Sequence, residues 1–390
     1  VTGYIGALID DKYMPISNPA MMYFKPDARQ PFQDAATKIS TIVEFGAVDF
    51  NGKYVGIQDY EEAVTFLRGI LQSPLTDVAI DTETTGLYPR NGYVLGISIA
   101  NCLEEAAYIS TDVVYDEVEE LFQKIFLGKR IVFHNAKFDM PMLEYHLSFK
   151  FIKDYTHPMC FEDTMYAHYI LDENSGHGLK DLAIKYTPLG FYDKPLQEFI
   201  ANYCKIHKMK KDDFTYDRIP FDIISDYAAK DSAATIAIWN KFKTPLYNNN
   251  NLLWVYKNIL IRGCVYLARM QDNGVPFCKD HLKSAEEVLA KQYQADLQAL
   301  YEHEELISFE KIHNVRFNPN SVYHLRSLLF DICKLPVSGK LTGTGAESTD
   351  AEVLEELEDL HKIPGLILSL KKLGKLANTY IIKVQANLDR

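Results

Sequence analysis

LTDVAIDTETTGLYPRNGYVLGISIAN, residues 75–101, is the stretch on which the fold turns. Val78, Ala79 and Ile80 run as an apolar segment straight into Asp81 and Glu83, with one residue between the two acids. Side chains of a strand alternate faces with a period of two, so Asp81 and Glu83 point to the same side. Two carboxylates held side by side at the end of a buried strand repel each other and bind protons more tightly, unless a cation sits between them. Two readings fit this stretch alone. One is a grip for a divalent metal; the other is a strand that ends in a solvated acidic turn, with Thr84, Thr85 and Gly86 as loop.

Around this stretch lie 390 residues, a length that predicts two or three domains. Hydrophobic residues make up 47% and charged residues 24%, the composition of an ordinary globular chain. No apolar run approaches the ~20 residues of a membrane span, and the first residues carry no basic segment followed by an apolar core. Six scattered cysteines without paired spacing predict free thiols in a reducing compartment, hence a cytoplasmic and not a secreted protein. The net charge of -12 argues against a nucleic-acid partner only globally, because phosphate contacts need a local basic surface and an acidic metal site raises the negative total.

Residues 1–54 are rich in Pro, Asp and isolated aromatics and predict an irregular arm. From residue 59 an amphipathic helix leads into the 78–81 strand, and strands follow at 92–101 and 104–110. A helix at 114–126, a strand at 130–135 and helices at 138–147, 161–173, 178–186 and 221–242 complete an α/β domain over 55–245. After the polar break KTPLYNNNN the pattern turns helical, giving a mostly α region over 246–390 interrupted by SGKLTGTGAEST.

Two further acidic positions turn the opening pair into a constellation. HNAKFD places Asp139 where a buried strand hands over to a helix, and YAAKD places Tyr227 and Asp231 at i, i+4 on one helix face. Alone, each is weak: an Asp at a helix start most often stabilises the N-terminus, and a Tyr–Asp pair at this spacing is most often a surface pair. Together, four acids and a tyrosine in this order are what a two-metal phosphodiesterase needs.

With these motifs, the region from about 60 to 245 resembles the DEDD superfamily of 3'-5' exonucleases, in the subclass with a tyrosine, and most of all the proofreading domain of family A DNA polymerases. VYLARMQDNGVPFCKDHL, RFNPNSVYHLRSLLFD, KLTGTGAESTDAEVLEEL and LKKLGKLANTY resemble successive landmarks of that family's thumb. The resemblance implies a ribonuclease-H-like exonuclease domain, a mixed sheet flanked by helices, followed by a mostly α thumb-like domain. It implies Asp81, Glu83, Asp139 and Asp231 as ligands of two Mg²⁺ ions, for which Mn²⁺ substitutes, with Tyr227 positioning the attacking water. An unperturbed phenol, with a pKa of ~10, is a poor base at neutral pH. No palm or fingers motif of the family occurs in the 390 residues, so the chain is not expected to polymerise by itself; either it is a fragment of a longer polymerase or it comes from a polymerase split across two chains, whose palm and fingers would be a separate partner chain.

The DNA 3' end must be single-stranded to reach such a site, with its last bases against apolar side chains. Thr84, Leu87, Asn135 and Phe138 flank the acids and are the expected substrate contacts; for Leu87 and Phe138 plain core packing fits as well. Lys371, Lys372 and Lys375 fall where the thumb grips primer-template duplex, through contacts indifferent to sequence. Lys205, Lys208, Lys210 and Lys211 read as a solvated face. Two other readings stay open at this point: a catalytically silent primer-template-binding module of a split polymerase, and a free-standing exonuclease acting on RNA.

Overall fold

The structure is a computed structural model that describes residues 14–16, 18–24, 29–45, 52–147, 149, 161–343 and 345–388. It divides into two compact units, Val1–Gly274 and Val275–Arg390.

The first unit is built on a six-stranded mixed sheet: β1 (Lys53–Ile57), β2 (Asp77–Thr84), β3 (Val94–Ala100), β4 (Glu105–Ser110), β5 (Arg130–Phe133) and β6 (Phe161–Asp163), in the order β1-β4-β3-β2-β5-β6. β2, β3 and β4 are antiparallel neighbours, whereas β1 joins β4, and β5 and β6 join β2, in parallel. Central strand β2 is covered on both faces, which is why Val78, Ala79 and Ile80 are fully buried and its sequence shows no alternation before Asp81. Its pairing with β3 sets Asp81 opposite Ser98 and Glu83 opposite Gly96, and the register slips at Glu83/Thr84 as the strand leaves the sheet.

One long helix, Phe221–Tyr247, packs across β1, β4, β3 and β2. It comes close because its inner face is made of small residues: Ala228, Ala229, Ala233, Ala234 and Ala237 are all buried. Glycine on the sheet side allows the same approach, since a Cβ at Gly56 would lie 2.6 Å from Ser225 and Phe221. At the other end of the helix the fully buried Trp239 donates to Asp77 at 3.2 Å, tying helix to β2. This is the ribonuclease-H-like arrangement expected of the α/β domain.

Three local expectations change. Within the expected arm, Arg29–Phe45 is a helix, because Pro31 falls in its first turn, where a missing N–H is harmless, and Ala35 and Lys38 turn one buried face inward. The Lys38 ammonium donates to the Thr187 carbonyl, and burial lowers its pKa to about 8. Residues 1–13 of the arm lie outside the described residues. Second, Lys53–Ile57 is an edge strand: five residues are too few to display a period, and only pairing with β4 defines them. Third, FEDTMYAHYILDE does not begin as helix, since Phe161–Asp163 pairs with β5 before the helix Thr164–Leu171 starts. Beyond residue 245 the compact unit continues to Gly274. The helices that follow it pack back on the sheet domain, with the buried Tyr256 hydroxyl accepting from Asp163 N at 2.8 Å.

The second unit is helical. Lys279–Tyr301 and Lys362–Lys375 pack on each other, and Leu300, Leu306, Phe309, Phe317, Leu328, Leu354 and Ile367 form its core. Across the glycine-rich loop, Leu341 and Glu347 form an isolated antiparallel bridge, and Lys340 pairs with Asp350 at 2.7 Å. Among the described residues no helix is long and apolar enough to cross a membrane, and Cys102, Cys204, Cys264, Cys278 and Cys333 are free.

Candidate functional site

The end of β2 places Asp81 and Glu83 on one face, and the helix Phe221–Tyr247 lays Asp231 across them. One carboxylate oxygen from each of Asp81, Glu83 and Asp231 lies within 4.8 Å of the others. Glu83 and Asp231 are buried, and Asp81 is half-buried. Gly96, opposite Glu83, has no side chain to spare for this space: a Cβ there would stand 2.4 Å from the Tyr108 ring.

Asp139 enters from the helix Ala136–His146, which begins at Asn135 in the left-handed region at φ 74°. Its Oδ1 accepts from Thr82 N at 3.0 Å and from Thr82 Oγ1 at 2.7 Å, so the residue between the two strand acids holds the fourth acid. Behind it, the buried Asp163 accepts from Ala136 N at 2.7 Å with one oxygen and from Met165 N at 2.9 Å with the other. One carboxylate thus caps the start of two helices. His134 Nδ1 lies 2.8 Å from Thr164 Oγ1, and burial lowers its pKa to about 3, so its ring stays neutral.

The four acids share one field. Burial, then the neighbouring Asp139, Asp231 and Glu83, raise the pKa of Asp81 well above the carboxylate range. Burial and Asp231 do the same to Glu83, against the opposing pull of Lys180. Burial lifts Asp139 to about 7 despite the hydrogen bonds from Thr82. Buried oxygens of like charge, gathered on a pocket of protein without compensating charge of their own number, form the hard all-oxygen donor set that suits a divalent cation such as Mg²⁺ or Mn²⁺. The residues therefore fit a metal at Asp81, Glu83 and Asp231; Asp139 stands beside that group and not within it.

A pH dependence follows. These folded-state carboxyl groups hold protons that the unfolded chain releases near 3.8 to 4.5, so the folded state binds more protons in between. Stability then declines as pH rises. In EDTA the melting temperature is expected to fall from pH 5 to pH 8 by about 5 °C or more, and the increment from added Mn²⁺ to grow over the same interval. Calorimetric scans at four pH values measure both; an increment that shrinks with pH would contradict the assignment.

Three groups here have no counterpart among the residues singled out from sequence. Lys180, in the first turn of the helix Leu179–Tyr186, donates to Asp231 Oδ1 and lies 3.1 Å from the Tyr192 hydroxyl. Tyr192 is buried and itself donates to Asp231. Tyr216 sits close enough to Glu83 and Asp231 for burial and their charges to raise its pKa to about 12. Tyr227 is one helical turn before Asp231; burial first, then Asp231 and Glu83, raise its pKa well above the ordinary phenol value. It stays protonated at neutral pH, which suits holding a water by hydrogen bond and not taking its proton. A lysine and two tyrosines in GLKDLAIKY, GFYDK and TYDR carry no spacing signal, so sequence alone passes over them.

The structure brings Asp81, Glu83, Asp139, Tyr227 and Asp231 into one region and places the remaining candidates as follows. Thr84 Oγ1 donates to the Gly86 carbonyl at 2.8 Å within the turn, Leu87 is exposed, and Phe138 is packed against the core. Asn135 shapes the entry to the Asp139 helix through its left-handed backbone. In the second unit, Lys371 donates to the Thr349 carbonyl at 3.1 Å, Lys372 pairs with Glu355 at 3.6 Å, and Lys375 borders a groove between Glu286–Gln294 and Leu370–Ile382.

Comparison with known proteins agrees with this geometry. Residues 54–246 match the family profile described as 3'-5' exonuclease, and residues 285–390 match that of DNA polymerase family A. The DNA polymerase of Escherichia phage T5 is 43% identical over 376 residues, covering 95% of this chain and 44% of the phage protein. DNA polymerase I of Synechocystis sp. is 30% identical over 317 residues, covering 78% of this chain and 29% of that protein. The chain thus spans less than half the length of these relatives. Among solved structures, the POL domain of Pol1 from M. smegmatis in complex with DNA primer-template and dNTP has a TM-score of 0.57 at 18% identity, covering 83% of this chain and 49% of that one, a likeness of fold.

Proposed function

Because this chain belongs to the family A DNA polymerases, with the family's 3'-5' exonuclease domain over residues 54–246, we propose that it removes nucleoside 5'-monophosphates from DNA 3' ends and serves proofreading in DNA replication. The observation that carries this reading is the trio of carboxylates, Asp81, Glu83 and Asp231, within 4.8 Å on a site flanked by Asp139 and Tyr227. Residues 55–245 bear the hydrolytic site, and 246–390 form a thumb-like region.

In this reading Asp81, Glu83 and Asp231 would hold one Mg²⁺ or Mn²⁺ ion, and Asp81, with Asp139 through water, would hold a second. When bound, the ions lower the pKa of water and offset the charge that develops on the leaving oxygen. Tyr227 donates or accepts a hydrogen bond that aligns the water with the last phosphodiester. The water releases a proton to solvent as its oxygen bonds to phosphorus, the bond to the 3' oxygen of the preceding nucleotide breaks, and that oxygen takes a proton from solvent. Thr82 fixes the direction of Asp139. Thr84, Leu87, Asn135 and Phe138 line the approach of the frayed 3' end, whose bases stack on apolar surface. Lys371, Lys372 and Lys375 face the primer-template, and the palm and fingers of the complete polymerase are the partners of the thumb-like region. The setting such a protein needs is the cytoplasm, where the DNA of a bacterium or its phage replicates.

The test is a time course on a 5'-labelled single-stranded DNA oligonucleotide and its RNA counterpart, in Mg²⁺ and in EDTA. A ladder that shrinks from the 3' end of the DNA, only with metal, is expected. Intact DNA in both Mg²⁺ and Mn²⁺ would end the enzymatic reading, and faster loss of the RNA would reassign its substrate.

A further inference from the structure

Among the described residues, Lys180 is the cation that reaches the acidic trio. Its ammonium, on a side chain about one third exposed at 31%, donates to Asp231 Oδ1 and is 3.1 Å from the Tyr192 hydroxyl. The same ammonium lies 4.2 Å from the centre of the Tyr227 ring and 4.7 Å from that of Tyr192. Those two rings are 6.2 Å apart and inclined by 32°, so the ammonium sits against both. Such cation–ring contacts are worth most where water is partly excluded, as here.

We propose that Lys180 competes with the divalent ion for Asp231 and positions Tyr227, which makes it a positioning residue of the hydrolytic site. The inference rests on the reading above that the carboxylates hold a divalent ion. Lys180 and Tyr192 share Asp231 Oδ1, so a dication on that oxygen displaces the ammonium and one on the other oxygen repels it. Lysine suits this exchange. Its charge is compact and its four-carbon stem is flexible, so the head can leave the carboxylate while staying on the tyrosine face. In the absence of metal the ammonium, bonded to Asp231, offsets part of the negative charge of the three crowded acids. The ammonium adds a third neighbour to a Tyr227 ring already packed on the core and beside Tyr192, on the side that faces Asp231. A simple structural ion pair makes the opposite forecast, because removing its cation loosens the site for everything, metal included.

The test separates the two. Mn²⁺ binding is measured by the loss of the free-ion electron paramagnetic resonance signal for the parent chain, Lys180→Met and Lys180→Arg, alongside cleavage of a labelled oligonucleotide at saturating Mn²⁺. Lys180→Met is expected to bind Mn²⁺ about tenfold more tightly, the size of removing one screened charge near a dication, and to cleave about ten- to a hundredfold more slowly. Lys180→Arg keeps the charge and the ring contact, and is expected to restore the parent Mn²⁺ affinity and part of the rate. Unchanged or weaker Mn²⁺ binding by Lys180→Met would overturn the competition, and a parent-like rate would overturn the positioning. Lys180→Gln repeats the comparison with a polar side chain, so that the outcome does not hang on one variant's folding. If the parent chain itself bound no Mn²⁺, the metal-dependent function would fall first; if only the variants matched the parent, this inference alone would fall.

Discussion

Asp81→Ala should reduce hydrolysis of a DNA 3' end by about a thousandfold or more, because in the proposed site Asp81 contributes to both ions. Its position allows this. It lies half-buried at the tip of β2, within 4.8 Å of Glu83 and Asp231, and its proton affinity responds to Asp139 as well. The same substitution is expected to leave the metal-free fold no less stable, since it removes one of several crowded carboxyl groups whose mutual repulsion opposes ionisation. A labelled-oligonucleotide assay and a thermal melt in EDTA measure the two effects. A variant that keeps more than a tenth of the parent rate, at an unchanged melting temperature, would remove Asp81 from the reaction.

Asp163→Ala should destabilise the chain by about 3–5 kcal/mol, the sum of lost helix caps and of backbone N–H groups left buried without an acceptor. Asp163 is fully buried and accepts from Ala136 N at 2.7 Å, Met165 N at 2.9 Å and Tyr166 N at 3.2 Å. Alanine leaves those donors in a space that water does not reach. The helix that starts at Ala136 carries Asp139, so activity is expected to fall as well, although Asp163 is not itself placed among the metal ligands. Asp163→Asn keeps acceptor oxygen at one position and should cost less than alanine. Urea unfolding followed by circular dichroism gives the difference; a loss below about 1 kcal/mol would show that solvent or neighbouring groups replace the carboxylate.

The acids of the site are readable in one dimension because short periods place them. Asp81 and Glu83 share a face through the period of two of a strand, and Tyr227 and Asp231 through the spacing of a helical turn. The run Val78–Ile80 announces a strand covered on both faces, and the alternation of strand and helix patterns announces an α/β domain. The helical second region is readable in the same way from its long amphipathic stretches. The short strand Lys53–Ile57 and the helix Arg29–Phe45 are not: the first is defined by hydrogen bonds to β4, and the second buries a lysine that a sequence reading assigns to solvent. What tertiary structure decides is which distant groups meet. Thr82 holds Asp139, Asp163 caps the helix that carries it, and Lys180 reaches Asp231 from another helix. A threonine, an aspartate and a lysine have the same local propensities whether or not such a partner exists. Their roles come from burial, which strengthens each polar contact and penalises each missing one, and burial is a property of the packed chain.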